Sequence, residues 1–365
     1  MKAFRNSKKI AILLGTRPEI IRLAPVIREC VRRKISFFVL HTNQHYSKNL
    51  DGIFFKELGL ARPKYNLGVG SGTQAQQVGS MLVGIEKILI KEKPAMVLIF
   101  GDPNTALAGA LSAVKLNIKI GHIEAGLRSY DRTMPEEINR ILADHCSDLL
   151  FAPTKTAQEI LMGEGVSRGK IFVTGATTVD VLHQNLRSAK KKSKILKDLN
   201  LAKGGYFLLT FHRSENVSKK QRIEGILKGL ELVYEKFQLP IIFPIHPRTK
   251  RMMDSFKLKI PKGVRVIEPV GLLDFLQLQA GAKLILTDSG GIQEESCILG
   301  VPCVTLRDNT ERPETLEIKG NILSGTDPLR ILKCVGKMLK SKKRWKNPFG
   351  EKGVGKRIID ICEYA

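Results

Sequence analysis

Cysteine is scarce and scattered in this chain: Cys30, Cys146, Cys297, Cys303, Cys334 and Cys362, with no C-x-x-C pair among them. That spacing indicates neither a zinc site nor a disulfide framework, and small buried apolar side chains are the expectation. The N-terminal run MKAFRNSKKIAILLG is basic, but its apolar stretch is too short for a membrane span and no signal-type cleavage site follows. It reads as the first strand of a cytoplasmic protein. The G-x-G-x-x-G fingerprint is missing after that strand. Gly15-Thr16-Arg17-Pro18-Glu19 offers one glycine, then a bulky arginine and a proline, so no nicotinamide site is supported. Internal repeats, heptads and low-complexity tails are absent as well. Acidic residues are outnumbered, 35 against 60 basic, which leaves a formal net charge of +25. The excess lies in residues 190–197 (KKKSKILK) and 337–356, where the aromatics are limited to Trp345 and Phe349. Base stacking needs more aromatics than that, so solvated lysine faces are favoured over a nucleic-acid surface, and the same field suits an acidic small substrate.

At 365 residues, 43% hydrophobic and 26% charged, the composition is that of a globular chain too long for one typical domain. β-branched runs alternate with amphipathic stretches, predicting parallel sheets covered by helices on both faces. Strands are expected at 10–14, 37–41, 95–101, 118–123, 149–152 and 171–174. A second series follows at 206–211, 241–245, 264–267, 283–287 and 303–306. The count fits two doubly wound Rossmann-like α/β domains. We place the first at residues 1–180, a lysine- and serine-rich linker at 181–204 and the second domain at 205–340. A basic C-terminal segment with a terminal helix occupies 341–365, the helix packing on either domain.

Open parallel sheets bind ligands beyond the carboxyl ends of their strands. Near the end of the chain an apolar run closes at Thr287-Asp288, and Ser289-Gly290-Gly291 then opens a helix. Free N–H groups and the helix dipole face an anion in such a turn, and glycine lets a phosphate come close. Glu295, one helical turn on, is placed to accept from two ribose hydroxyls. After the first strand, Arg17 sits at a strand-to-helix corner suited to an anion. Asp102 follows another strand and by itself would read as a helix cap. Glu124 ends an otherwise apolar strand, an expensive place for a carboxylate without a function or partner. Pro135-Glu136 alone is an ordinary helix start. Taken together, Asp102, Glu124 and Glu136 can converge on one cleft and suit proton transfer at carbon. His212-Arg213, His246-Pro247-Arg248 and the loop 307–312 line the second domain with cations and donors, as a pyrophosphate leaving group requires.

GTRPEI (15–20), GD (101–102), GHIEAGLRS (121–129), MPEEINR (134–140), FHRSEN (211–216), HPR (246–248), TDSGGIQEE (287–295) and RDNTERPET (307–315) run in order over about residues 10–328. In this the chain resembles the non-hydrolysing UDP-N-acetylglucosamine 2-epimerases. The resemblance implies a GT-B type fold with the UDP-sugar in an interdomain cleft, a homodimer, and neither cofactor nor metal. It implies anti elimination of UDP to a 2-acetamidoglucal, then re-addition with inverted C2. It makes Asp102, Glu124 and Glu136 the acid, base and charge-stabilising carboxylates, with the three roles unassigned. His212 becomes a catalytic histidine near the departing UDP, with Arg17, Arg22, His246 and Arg312 on the phosphate side. Ser289, Gly290, Gly291 and Glu295 would hold phosphate and ribose, and Phe275 the uracil. Three positions depart from the pattern: Pro103 in place of threonine, Arg22 of lysine and Val270 of glutamine. Of the segment Asn43-Gln44-His45-Tyr46, matching the bacterial activating site, only Gln44 and His45 agree. The readings kept beside this one are an epimerase of another UDP-2-acetamido sugar, a hydrolysing relative, a GT-B glycosyltransferase using a UDP-sugar, and a catalytically dead basic binding protein.

Overall fold

The computed structural model describes residues 9–43, 55–341 and 345–365, so Gln44, His45 and Tyr46 lie outside the described residues. Two compact units divide the chain, one of residues 1–181 and 349–365 and one of residues 182–348.

The first unit alternates strand and helix: β1 (Ile10–Leu14), α1 (Arg17–Arg33), β2 (Phe37–His41), β3 (Tyr65–Asn66), α2 (Gln74–Glu92), β4 (Met96–Phe100) and α3 (Asn104–Lys115). β5 (Lys119–Ile123), α4 (Pro135–Cys146), β6 (Leu149–Ala152), α5 (Lys155–Gly163), β7 (Ile171–Val173) and α6 (Thr177–Lys192) follow. The seven strands are parallel in the order β3-β2-β1-β4-β5-β6-β7. Their runs are apolar on both faces because helices cover both, and β1 (IAILL) and β4 (MVLIF) are buried throughout. One core layer joins Leu13, Leu40, Val97 and Ile99 to Met81 and Ile85 of α2 and to the alanines of α3.

The second unit repeats the plan with α7 (Ile195–Asp198), β8 (Phe207–Thr210), α8 (Ser214–Val217), α9 (Lys220–Phe237), β9 (Ile241–Pro244), α10 (Pro247–Ser255) and β10 (Val264–Ile267). α11 (Leu272–Gly281), β11 (Leu284–Thr287), α12 (Gly290–Leu299), β12 (Cys303–Thr305), α13 (Pro313–Glu317), β13 (Asn321–Leu323) and α14 (Pro328–Lys340) complete it. Its six parallel strands run β10-β9-β8-β11-β12-β13. Phe207, Leu209, Phe243 and Leu286 pack under α9 and α14 on one face, and Tyr206, Leu208, Ile242 and Ile285 under α11 on the other.

The chain then returns to the first unit. α15 (Val354–Tyr364) lies on α1, where Gly355 meets the Pro25 carbonyl so closely that a Cβ would stand 2.8 Å from it. Asp180 of α6 accepts the N–H groups of Gly353 (2.6 Å) and Gly355 (2.9 Å) at the start of α15, while Arg33 of α1 pairs with Asp360 at 2.5 Å and with Glu363. Two strands went unread in the sequence, β3 and β13. Both are edge strands of two or three residues, too short to carry a period, and Tyr65 of β3 is held by an edge-on contact with Phe38.

Candidate active site

Strand order reverses in the first sheet between β1 and β4, which puts a ligand crevice beyond their carboxyl ends. The Gly15-Thr16-Arg17 corner bounds one side of it and Gly101-Asp102 the other. A Cβ at Gly15 would fall 2.1 Å from Thr105 Oγ1 and 2.2 Å from Thr42 Oγ1, two hydroxyls already hydrogen-bonded at 2.7 Å, so only glycine fits. Arg17 opens α1, and Arg22 is buried further along it. Gly101 takes φ +60° to turn out of β4, and Asp102 then pairs with Arg140 of α4 while its carbonyl accepts from Asn139 Nδ2 at 3.0 Å. Pro103 forms the N-cap of α3 in an extended conformation. Glu124 leaves β5 with φ +73°, a strained setting for a non-glycine residue, and its Oε2 lies 3.2 Å from where a Cβ on Gly101 would stand. Glu124 Oε2 therefore lies beside Gly101, the residue before Asp102. Glu136 is one turn before Arg140 on the same face of α4, so the arginine links that helix to Asp102.

Several supporting residues were not singled out in the sequence. Glu137, fully buried, accepts from the N–H and hydroxyl of Ser129, the N–H of Tyr130 and Arg140 Nη1. The second acid of the Glu-Glu pair is thus structural, and it aims Arg140 at Asp102. His122 is wholly enclosed, with Nε2 2.8 Å from the Gly101 carbonyl and Nδ1 2.7 Å from Asp144 Oδ1. Burial alone would raise the Asp144 carboxyl, but His122 and Arg128 outweigh it and hold the group below its ordinary range. Asp144 Oδ2 also receives the Gly126 N–H at 3.2 Å, so this pair ties together the loops that carry Asp102 and Glu124. Histidine inside an apolar strand was the available signal.

In the second sheet the reversal falls between β8 and β11, and the expected residues gather there. Asp288, with no exposed surface, accepts from the N–H of His212 at 3.0 Å, the N–H of Arg213 at 3.0 Å and Asn216 Nδ2 at 3.1 Å. That carboxylate builds the turn after β8. The His212 ring stacks on His246 with centroids 5.1 Å apart, and His246 caps α10 by accepting the Arg248 N–H at 3.1 Å. Burial is the main influence on His212 and lowers its pKa; Asp288 and Glu215 pull it upward and Arg213 and Arg248 push it down, and the net lowering favours the neutral ring.

The Ser289 N–H donates to Thr287 Oγ1 at 3.0 Å, and its hydroxyl is not used to cap α12. Gly290 is forced by space, since a Cβ would meet Glu311 Oε1 at 2.0 Å, and Gly291 follows it in the first turn. The ten-residue α12 thus starts with Gly-Gly and without a side-chain cap from Ser289, the arrangement that receives phosphate oxygens. Glu295 accepts Gln279 Nε2 at 2.6 Å from α11, and Phe275 stands one turn before Gln279 on that helix. Arg312 is buried and its Nε donates to Glu294 at 3.0 Å; Glu311 pairs with Arg307 at 2.7 Å and Arg213 at 3.2 Å. The ribose, uracil and phosphate groups read from the sequence share one sheet end, as do the carboxylates of the first unit.

The family model for UDP-N-acetylglucosamine 2-epimerase matches residues 28–363. A UDP-N-acetylglucosamine 2-epimerase of Methanococcus maripaludis is 56% identical over 97% of this chain and 98% of its own length. The solved structure of Methanocaldococcus jannaschii UDP-GlcNAc 2-epimerase, in complex with UDP-GlcNAc and UDP, superposes with a TM-score of 0.93 at 54% identity, covering 98% of this chain and all of that one. A UDP-2,3-diacetamido-2,3-dideoxy-D-glucuronate 2-epimerase of Pseudomonas aeruginosa is 41% identical over 87% of this chain and 88% of its own. With two doubly wound sheets, strand-end carboxylates on one and a Gly-Gly strand-to-helix turn on the other, this chain belongs to the UDP-N-acetylglucosamine 2-epimerase family.

Proposed function

We propose that the protein interconverts UDP-N-acetylglucosamine and UDP-N-acetylmannosamine without hydrolysis, a soluble cytoplasmic enzyme that acts as a homodimer. Glu124 Oε2 beside Gly101, the residue before Asp102, with Arg140 tying Asp102 to the helix of Glu136, carries the reading. In the forward step the C1–O bond breaks, its electron pair leaves with UDP, and C1 gains oxocarbenium character. The C2–H is thereby acidified and its proton passes to a carboxylate, leaving the 2-acetamidoglucal. Re-addition of UDP at C1 with protonation of the other face of C2 restores a UDP-sugar of opposite configuration. Asp102, Glu124 and Glu136 share the acid, base and charge-stabilising roles. His212, favoured as the neutral ring, is suited to donating a hydrogen bond to the departing diphosphate, with Arg17, Arg22, His246 and Arg312 as further phosphate-side groups. Ser289, Gly290 and Gly291 take the phosphates, Glu295 the ribose and Phe275 the uracil.

Support for the cytoplasmic reading comes from six free cysteines, which suit a reducing compartment. None of the described helices is long and apolar enough to cross a membrane. For the homodimer we point to Val83 and Ile90, exposed two turns apart on one face of α2.

The test is a proton NMR time course with UDP-N-acetylglucosamine in D2O and no added cofactor. UDP-N-acetylmannosamine carrying deuterium at C2 supports the proposal; free N-acetylmannosamine plus UDP replaces it with hydrolysis. The 41% identical diacetamido-glucuronate enzyme favours one second reading, a different UDP-2-acetamido sugar, which the same assay decides when run with that substrate.

A further inference from the structure

Glu19 is the third residue of α1, and burial leaves it 1% exposed. Oε2 accepts from the Gly15 N–H at 3.0 Å and from Thr16 Oγ1 at 2.8 Å, while Oε1, also buried, has no hydrogen-bond partner among the described residues. The geometry is a variant capping box, in which the Thr16 N–H also acts on Glu19. Thr16 occupies the N-cap position but does not cap; its hydroxyl is spent on Glu19, and Glu19 reaches past it to Gly15. A carboxylate here would leave one charged oxygen buried without a donor among the described residues, and the hydrogen bonds to the group do not offset that cost. Asp102 faces Glu19 from the β4–α3 loop and adds repulsion, Thr42 and Thr105 pack the corner with uncharged hydroxyls, and Arg17 and Arg22 flank Glu19 along its own helix. Burial, ahead of the hydrogen bonds, raises the Glu19 pKa to about 8.

We infer that Glu19 is a positioning residue of the candidate active site that acts as the neutral acid, fixing the Gly15-Thr16-Arg17 corner without placing a second negative charge beside Asp102. As an acid it still accepts both hydrogen bonds at Oε2. Ionised, it would add negative charge at the corner where Arg17 is to meet a diphosphate. The functional half of this inference rests on the proposed epimerisation; the protonation half does not.

The test compares the wild type with Glu19→Gln and Glu19→Ala in two measurements. The first is the denaturant midpoint from the ordinary carboxyl range, near pH 4.5, to just above pH 8. A carboxyl that keeps its proton in the fold but loses it on unfolding makes stability fall as pH rises from the ordinary carboxyl range toward 8, so the wild type should decline relative to Glu19→Gln over that interval. The second is the pH profile of kcat and KM for UDP-N-acetylglucosamine. Glutamine presents the same acceptor oxygen and an uncharged donor, so Glu19→Gln should keep turnover at neutral pH within about threefold and lose the alkaline rise in KM, whereas Glu19→Ala should fall by about tenfold or more. Equal pH dependence of stability in wild type and Glu19→Gln would overturn the inference, and so would a Glu19→Gln enzyme as impaired as Glu19→Ala. If Glu19→Ala does not fold, the glutamine comparison still decides. A wild type that turns over no UDP-sugar removes the proposed function, while the stability comparison still settles whether Glu19 carries its proton.

Discussion

Asp102 and Glu295 are the side chains at which loss of charge should separate chemistry from binding. Asp102→Asn keeps the shape but removes one of the three carboxylates proposed as acid, base and charge stabiliser, so C2 deuterium exchange should drop by about a hundredfold or more while UDP still binds by calorimetry. Glu295→Ala should do the reverse, weakening UDP by about ten- to a hundredfold through loss of a charge-assisted hydrogen bond worth ~1.5–3 kcal/mol. Asp288→Ala has a different outcome, because this carboxylate holds the turn after β8 rather than ligand. It leaves three donors unmet in a buried place, and chemical denaturation should report a loss of about 3 kcal/mol. His41 sets an acid limit on the fold. Burial lowers its pKa from 6.5 to about 4, so the unfolded chain takes the proton first and stability falls as pH drops through that interval; His41→Phe should flatten this limb of a denaturation profile. The sequence exposed residues whose cost stands out, such as Glu124 in an apolar strand. Glu137 and Asp288 passed as a helix start and a strand end, because nothing local distinguishes an acid that serves a loop from one that serves a substrate.

Helices α9 and α14 show how closely elements approach in the second unit. Gly225 and Gly229 line one face of α9, where a Cβ would stand 2.4 Å from the Thr326 carbonyl and 2.8 Å from Ile331 Cδ1. Gly→Ala within a helix ordinarily stabilises by about 0.5–1 kcal/mol. Gly225→Ala should invert that sign and destabilise by about 1–3 kcal/mol in urea melts, since the obstructing atom is main chain and cannot rotate away. Continuous apolar runs were readable, as with β1 and β4. The edge strands β3 and β13 were not, because an edge strand is defined by its neighbour rather than by its own residues. The strand–turn–helix context of Ser289-Gly290-Gly291 was readable because strand end, glycine pair and helix start are adjacent in sequence, whereas the Asp102–Arg140 pair spans 38 positions and exists only once the sheet has formed.

The formal charge of +25 is a property of the whole molecule. Self-repulsion of that size weakens a compact state and is screened by ions, so the melting temperature at neutral pH should rise with added sodium chloride before levelling off. Fold class was legible at this scale because two series of apolar strands alternate with helices, and each sheet then fixes its own crevice by where its strand order reverses. What periodicity could not show is that the first unit is discontinuous. The helix α15, anchored by Asp180 and laid on α1, is synthesised after all of residues 182–348. On the ribosome, then, the first unit waits with an uncovered flank on α1 until the second unit has been translated, and a message broken just short of residue 354 would yield a chain for cellular quality control to clear.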